Sequence, residues 1–216
     1  TGFLGGRSGG YIHEQLDFIG IKHEFVPIKG ETRSCLAIIS DDGSQTEILE
    51  NGPFISGKNI SEFYELYRKL IKDVDIVCAS GSLPHGVPSV TYNNLITMAK
   101  EEGKKFILDT SGEALKLGVE AAPFLIKPNR EELENLMGYK IDSENGIIQA
   151  GIYLLENGIK VVMISLGKDG SMVFHDGYIY KIKVPEINTI NPVGSGDAML
   201  GGFAASLNRG YDFEFA

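Results

Sequence analysis

The chain has 216 residues, 43% of them hydrophobic and 23% charged, the composition of a globular chain with enough apolar residues for a continuous core. Its net charge of -9 argues against a nucleic-acid or anionic-membrane partner, although a local basic pocket for a small phosphate stays open. No apolar run approaches the ~20 residues of a membrane span, and no basic-then-apolar leader opens the chain. The two cysteines, Cys35 and Cys78, both sit in apolar runs and read as buried thiols rather than a disulfide, which points to a reducing, cytoplasmic setting.

Taken in chain order, the segment from His23 to Asn51 reads as successive strands, with a tight turn at Asp42 and Gly43. This is a β insertion of about residues 23–51. From Asp75 onward, short apolar runs alternate with amphipathic stretches: "DIVCAS", a helix near Ser89 to Glu102 capped by Ser89 and closed by Gly103, "KKFILD", "GEALKLGVE", "PFLIK", "REELENLM", "ENGIIQAGIYLLENG" and "KVVMIS". Apolar strands separated by helices predict a doubly wound, mostly parallel α/β sheet with helices on both faces. A second hairpin, "GSMVFHDGYIYKIKVP", turns at His175 to Gly177. No internal repeat or low-complexity linker suggests a separate C-terminal domain.

The stretch "NPVGSGDAMLGGF", Asn191 to Phe203, places three residues, Gly194, Ser195 and Gly196, ahead of Asp197 and a run with helical spacing. Backbone N–H groups at such a helix start bind anions. Asp197, in the first turn, would stand beside the anion, placed to take a proton from an attacking hydroxyl during phosphate transfer. The same residues also suit a plain glycine turn whose carboxylate stabilises the helix dipole. His13, His23, His85 and His175 have no ligand spacing among themselves or with the cysteines, so no structural zinc is expected.

"NPVGSGDAMLGGF" resembles the signature of the PfkB (ribokinase-like) carbohydrate kinases. "SGSLPHGVP", "DTSGEAL", "KPNREEL" and "SLGKDGS" resemble four further motifs of that family, in the family's order. The resemblance spans essentially the whole chain. It implies a single ribokinase-like domain over residues 1–216, with the β insertion as a small lid, ATP and Mg²⁺ on the donor side and a sugar hydroxyl as acceptor. It makes Asp197 the base, with Gly194, Ser195 and Gly196 as an anion hole for the γ-phosphate. Asn129 and Glu132 match the family's Asn-x-x-Glu pair near Mg²⁺ and the phosphates, Glu132 reaching the metal through water, although alone they read as a helix cap and a solvated glutamate. Lys127 precedes this pair and is a weaker candidate. Ser165, Gly167 and Gly170 match the nucleotide-binding turn, which in isolation is an ordinary strand-to-strand turn.

On the acceptor side, Arg33 resembles the lid arginine that grips a phosphate already on the sugar, and Ser82 approaches the sugar. His85 stands where the family commonly has proline. Within the family, "GETRSCLAII" followed by "QTEILENGP" resembles the tagatose-6-phosphate kinases most, with the 1-phosphofructokinases as close relatives. The implied partner is a small sugar phosphate, with a homodimer through the lid left open. The chain starts at Thr1. The family pattern implies that an N-terminal strand with an acidic sugar-binding residue and a Gly-rich, Asn-containing loop precede Thr1, and that part of the adenine pocket follows Ala216. The chain is therefore expected to be part of a longer enzyme. A non-catalytic sugar-phosphate-binding regulator is the alternative of a different class, disfavoured because binding alone needs no base. A cofactor-binding oxidoreductase lacks its glycine fingerprint with a ribose-binding acid at suitable spacing.

Overall fold

Residues 1–40, 45–184 and 194–215 are described by the computed structural model. They divide into two compact units, Thr1–Asp73 with Leu83–Pro88 and Val74–Ser82 with Ser89–Ala216. The expected turn at Asp42 and Gly43 and the start of the "NPVGSGD" motif, Asn191 to Val193, lie outside the described residues.

In the first unit, β1 (Phe3–Leu4) leads into α1 (Gly6–Phe18), and β2 (Val26–Pro27) returns to pair with β1 in parallel. No side chain of α1's own N-terminus caps it. The carboxylate of Glu31 does so from a distance, accepting from the N–H groups of Arg7 and Ser8. Those bonds, Ser8's first, hold the Glu31 carboxyl below the usual range, because the charged form is the one they stabilise. β3 (Cys35–Ile39) and β4 (Gln45–Leu49) form an antiparallel ribbon with Cys35 opposite Leu49 and Ile39 opposite Gln45, so β2, β3 and β4 all fall inside the expected β insertion. Every residue of β3 is exposed, including Cys35, which corrects the expectation of a buried thiol there. α2 (Gly57–Leu70) is capped by Ser56, whose Oγ accepts from Asn59 N, and ends in a 3₁₀ turn at Ile71–Asp73.

The second unit holds a six-stranded sheet. β5 (Ile76–Ser80), β6 (Lys105–Asp109), β7 (Leu125–Ile126) and β8 (Val161–Ser165) run parallel in that order. β9 (Ser171–His175) and β10 (Tyr178–Ile182) extend the sheet antiparallel beyond β8. The β9–β10 hairpin turns at Asp176 and Gly177, whose φ values of 48° and 79° are both positive, the conformation that a two-residue turn needs to match strand twist. Among the described residues β5 is one of the two edge strands of this sheet, and Cys78 on it is exposed, again against expectation; with a neighbour on one side only, an apolar run does not guarantee burial.

Helices α3 (Thr91–Glu101), α4 (Gly112–Glu120), α5 (Arg130–Met137), α6 (Glu144–Glu156) and α7 (Ser195–Asn208) cover this sheet. Successive strand residues face opposite sides. On one side Ile107, Leu125, Val161, Met163 and Val173 pack with Leu200 and Phe203 of α7. On the other, the alternate residues Leu108 and Phe174 meet helix backbone: a Cβ on Gly118 of α4 would lie 2.5 Å from Leu108, and one on Gly151 of α6 2.6 Å from Phe174. Glycine is what allows those helices to sit so close. The predicted helix near Ser89 begins two residues later, with Val90 at the N-cap position and no side-chain cap, so Ser89 does not cap it. No helix among the described residues is long and apolar enough to cross a membrane.

Candidate active site

The chemistry-bearing side chains of the second unit gather at the carboxyl ends of its parallel strands, where open α/β sheets place their ligands. Ser80 ends β5, Asp109 ends β6, Lys127 follows β7 and Ser165 ends β8. Lys127 Nζ lies 3.2 Å from Asp109 Oδ2, with the side chains only 9% and 14% exposed. Burial pushes the Asp109 carboxyl up; Lys127 pulls it back, and the negative charge of Asp197 adds to the rise.

Asp197 lies in the first turn of α7. Gly194 occupies the N-cap in a left-handed conformation, φ 82°, and its carbonyl accepts from Ala198 N at 2.9 Å. No side chain caps the helix. The N–H groups of Ser195, Gly196 and Asp197 precede that first intrahelical bond, which is the arrangement that holds an anion. A Cβ on Gly196 would lie 3.2 Å from Lys127 Nζ, so the buried ammonium sits directly against this turn. Ser80 Oγ stands 3.4 Å from Asp197 Oδ1.

Asn129 and Glu132 form a full capping box on α5: Asn129 Oδ1 accepts from Glu132 N at 2.9 Å, and Glu132 Oε2 accepts from Asn129 N at 2.8 Å. Glu132 is half-buried rather than solvated. Burial raises its carboxyl, the bond from Asn129 N opposes that, and Asp109 raises it further. Asn129 also bridges to Ser165, whose N–H donates to the Pro128 carbonyl at 3.0 Å. Gly167 and Gly170 bound a 3₁₀ turn, and both have positive φ. Any Cβ on Gly170 would collide with the Ile182 carbonyl, so that glycine has a packing reason of its own.

Ser82 is exposed in the second unit, just beyond β5. In the first unit Arg33 is exposed in the loop before β3, not on the strand itself. His85 packs its ring edge-on against Phe54, centroids 5.2 Å apart, and its carbonyl accepts from Ile55 N. His13 and His23 do come together, Nδ1 to Nδ1 at 3.3 Å, with Asp17 on the far nitrogen of His23 at 3.1 Å. The pair joins α1 to the loop that follows it. Among the described residues no group of three or more His, Cys, Asp or Glu could hold a metal ion.

A model of the pfkB family carbohydrate kinases matches residues 1–216. The chain belongs to this family. The tagatose-6-phosphate kinase of Staphylococcus epidermidis is 42% identical over 210 residues, covering 96% of this chain and 67% of that protein. Among solved structures, the phosphofructokinase-2 of Escherichia coli, in complex with substrates and products, superposes with a TM-score of 0.89 at 25% identity over 98% of this chain and 70% of that one. A protein described as a possible 1-phosphofructokinase from Thermotoga maritima gives 0.87 at 26% identity over 95% and 66%. The mostly parallel sheet, its helices and the small antiparallel ribbon are thus the ribokinase-like fold. PfkB-family sugar kinases take ATP as phosphate donor.

Within this pfkB-family chain, motif spacing alone does not bring out the placement of Asp109 and Ser80 beside Lys127 and Asp197. "DTSG" was visible as a motif, but the pairing of Asp109 with Lys127 depends on β6 and β7 being sheet neighbours. The usable signal was positional: each residue ends, or directly follows, an apolar strand.

Proposed function

We propose that this protein transfers the γ-phosphate of ATP to the C1 hydroxyl of tagatose 6-phosphate, giving tagatose 1,6-bisphosphate, and that both units belong to one kinase domain. The observation that carries the reading is Asp197 in the first turn of a helix whose leading N–H groups are left for an anion. In this reading Asp197 takes the proton from the sugar hydroxyl. The N–H groups of Ser195 and Gly196, with the Lys127 ammonium against them, hold the charge that develops on the transferring phosphate. Ser165, Gly167 and Gly170 border the donor, and Arg33 and Ser82 hold the acceptor. The substrate reading rests on the tagatose-6-phosphate kinase relative, with a cytoplasmic setting as expected for such metabolism.

Mg²⁺ is the metal this reading adds, neutralising the phosphate oxygens. It is held through one or two carboxylates and the substrate's own phosphates. Asp109 and Glu132, both raised by burial, fit that need, since a cation beside them offsets the cost of keeping them ionised. A homodimer through the lid has support in the exposed Leu36, Ile38, Ile48 and Leu49 of the β3–β4 ribbon.

Glu132→Gln keeps the capping geometry and removes the charge. Melting temperature should hold or rise, while turnover falls and needs more Mg²⁺ to recover. Mg²⁺ titrations of both proteins check this, and superimposable curves would take Glu132 out of the site. Arg33→Ala should cost about 1.5 to 3 kcal/mol in kcat/KM for the sugar phosphate, the range for a hydrogen bond to a charged group, and should barely affect the unphosphorylated sugar. Equal losses on both sugars would instead mark Arg33 as a residue that stiffens the lid.

The second reading, fructose 1-phosphate as acceptor, is favoured by the Thermotoga maritima likeness. Comparing kcat/KM for tagatose 6-phosphate, fructose 6-phosphate and fructose 1-phosphate decides between them. Tagatose 6-phosphate should be preferred; a clear preference for fructose 1-phosphate would overturn the assignment while leaving the roles of Asp197 and the anion hole in place.

A further inference from the structure

The backbone of Gly81, immediately after Ser80, is pinned by three hydrogen bonds, one on its N–H and two on its carbonyl. Its N–H donates to the Asp109 carbonyl at 2.9 Å. Its carbonyl accepts from Tyr92 Oη at 2.9 Å and from Thr110 Oγ1 at 2.9 Å, one hydroxyl for each lone pair. Tyr92 is 7% exposed and Thr110 6%. Burying a hydroxyl is costly unless it is bonded, so both are committed to this one oxygen. Gly81 itself has φ 94°, a turn that redirects the chain as β5 ends. Ser80, opposite Asp109 in the β5–β6 register, is thereby fixed on both sides: by the ladder before it and by the clamped Gly81 backbone after it. Its hydroxyl points at Oδ1 of Asp197.

We infer that Ser80 is the donor that orients Asp197, and that Tyr92 and Thr110 are positioning residues acting on the base through Ser80. This rests on Asp197 being the base. A carboxylate in the first turn of an exposed helix end has several rotamers, and a base must hold the one that presents an oxygen to its substrate hydroxyl. A hydroxyl on Oδ1 selects that rotamer and leaves Oδ2 to take the proton. At 3.4 Å the contact is longer than a formed O–H···O bond, as catalytic hydrogen bonds often are before the substrate is bound. The clamp explains why an end-of-strand serine would hold its position: Ser80 is exposed, and nothing about its own packing would do so.

The test is steady-state kinetics on purified variants with tagatose 6-phosphate and ATP, each variant checked by thermal melting. Ser80→Ala should lower kcat about tenfold, the scale of a lost hydrogen bond to a charged group, and leave KM for both substrates within about twofold. Ser80→Thr, which keeps the hydroxyl, should restore most of kcat. Tyr92→Phe and Thr110→Val should each lower kcat about threefold in the parent and have no effect in the Ser80→Ala background, the signature of residues acting through one partner. Should Thr110→Val fail to fold, Tyr92→Phe alone completes the cycle. Wild-type kcat in Ser80→Ala, or an undiminished effect of Tyr92→Phe in that background, would overturn the proposal. Asp197→Asn, measured alongside, separates the two levels. If it loses turnover while Ser80→Ala does not, the Ser80 assignment alone fails; if it keeps turnover, the base assignment fails and takes the Ser80 proposal with it.

Discussion

Asp197→Asn is expected to lower turnover by about 10² to 10⁴, the usual range for loss of a general base. Asparagine keeps the size of the side chain and can still accept from Ser80 Oγ, so the local geometry at the start of α7 should survive. What disappears is the proton acceptor and one negative charge beside the phosphate site. Binding of ATP and of the sugar phosphate should therefore persist, and removal of the carboxylate from an anion site should if anything favour the nucleotide. Calorimetric titration with each ligand, combined with initial rates, checks both halves. Near-native turnover in the folded variant would make Asp197 a helix-dipole residue.

Lys127→Met should be the most destabilising single change in this site. Lys127 is buried and Asp109 largely so, and removing the ammonium leaves a mostly buried carboxylate without its counter-ion. Such losses run to about 3 to 5 kcal/mol, which in a chain of this size lowers the melting temperature by about 10 °C. Burial already raises the Asp109 carboxyl, and loss of the ammonium would raise it further. A carboxyl whose pKa is higher folded than unfolded binds protons better in the folded state, so its deficit is fully present above that raised value and shrinks as pH falls through it. The variant should accordingly recover part of its lost stability on acidification. Asp109→Asn combined with Lys127→Met should melt higher than Lys127→Met alone. A Lys127→Met variant melting within about a degree of the parent would show that the pair does not support the fold.

What could be read in advance follows the range of the interactions involved. The start of α7 was legible because its signals are local: glycines ahead of helical spacing, with an acid in the first turn. The same holds for the capping box of Asn129 and Glu132 and for the β9–β10 hairpin, where Asp176 and Gly177 supply both positive φ values. Ser89 misled because a serine at the head of a helical pattern looks like a cap, whereas the helix starts two residues later, without a side-chain cap. Cys35 and Cys78 misled because an apolar run predicts a strand but not its neighbours; one lies on a ribbon exposed along β3 and the other on a sheet edge. The pairing of Asp109 with Lys127, the approach of Ser80 to Asp197 across 117 positions, and the meeting of His13 with His23 depend on strand order and helix packing, which no short window contains.

Phosphoryl transfer, rather than binding of a sugar phosphate alone, is what sets this protein apart from a regulator on the same fold. Its most direct test is ³¹P NMR of the protein incubated with ATP, Mg²⁺ and tagatose 6-phosphate. The γ-phosphate signal of ATP should be lost while a second phosphomonoester appears on the sugar, in step with formation of ADP. Unchanged ATP together with saturable binding of the sugar phosphate would contradict it and leave a regulator on a kinase fold.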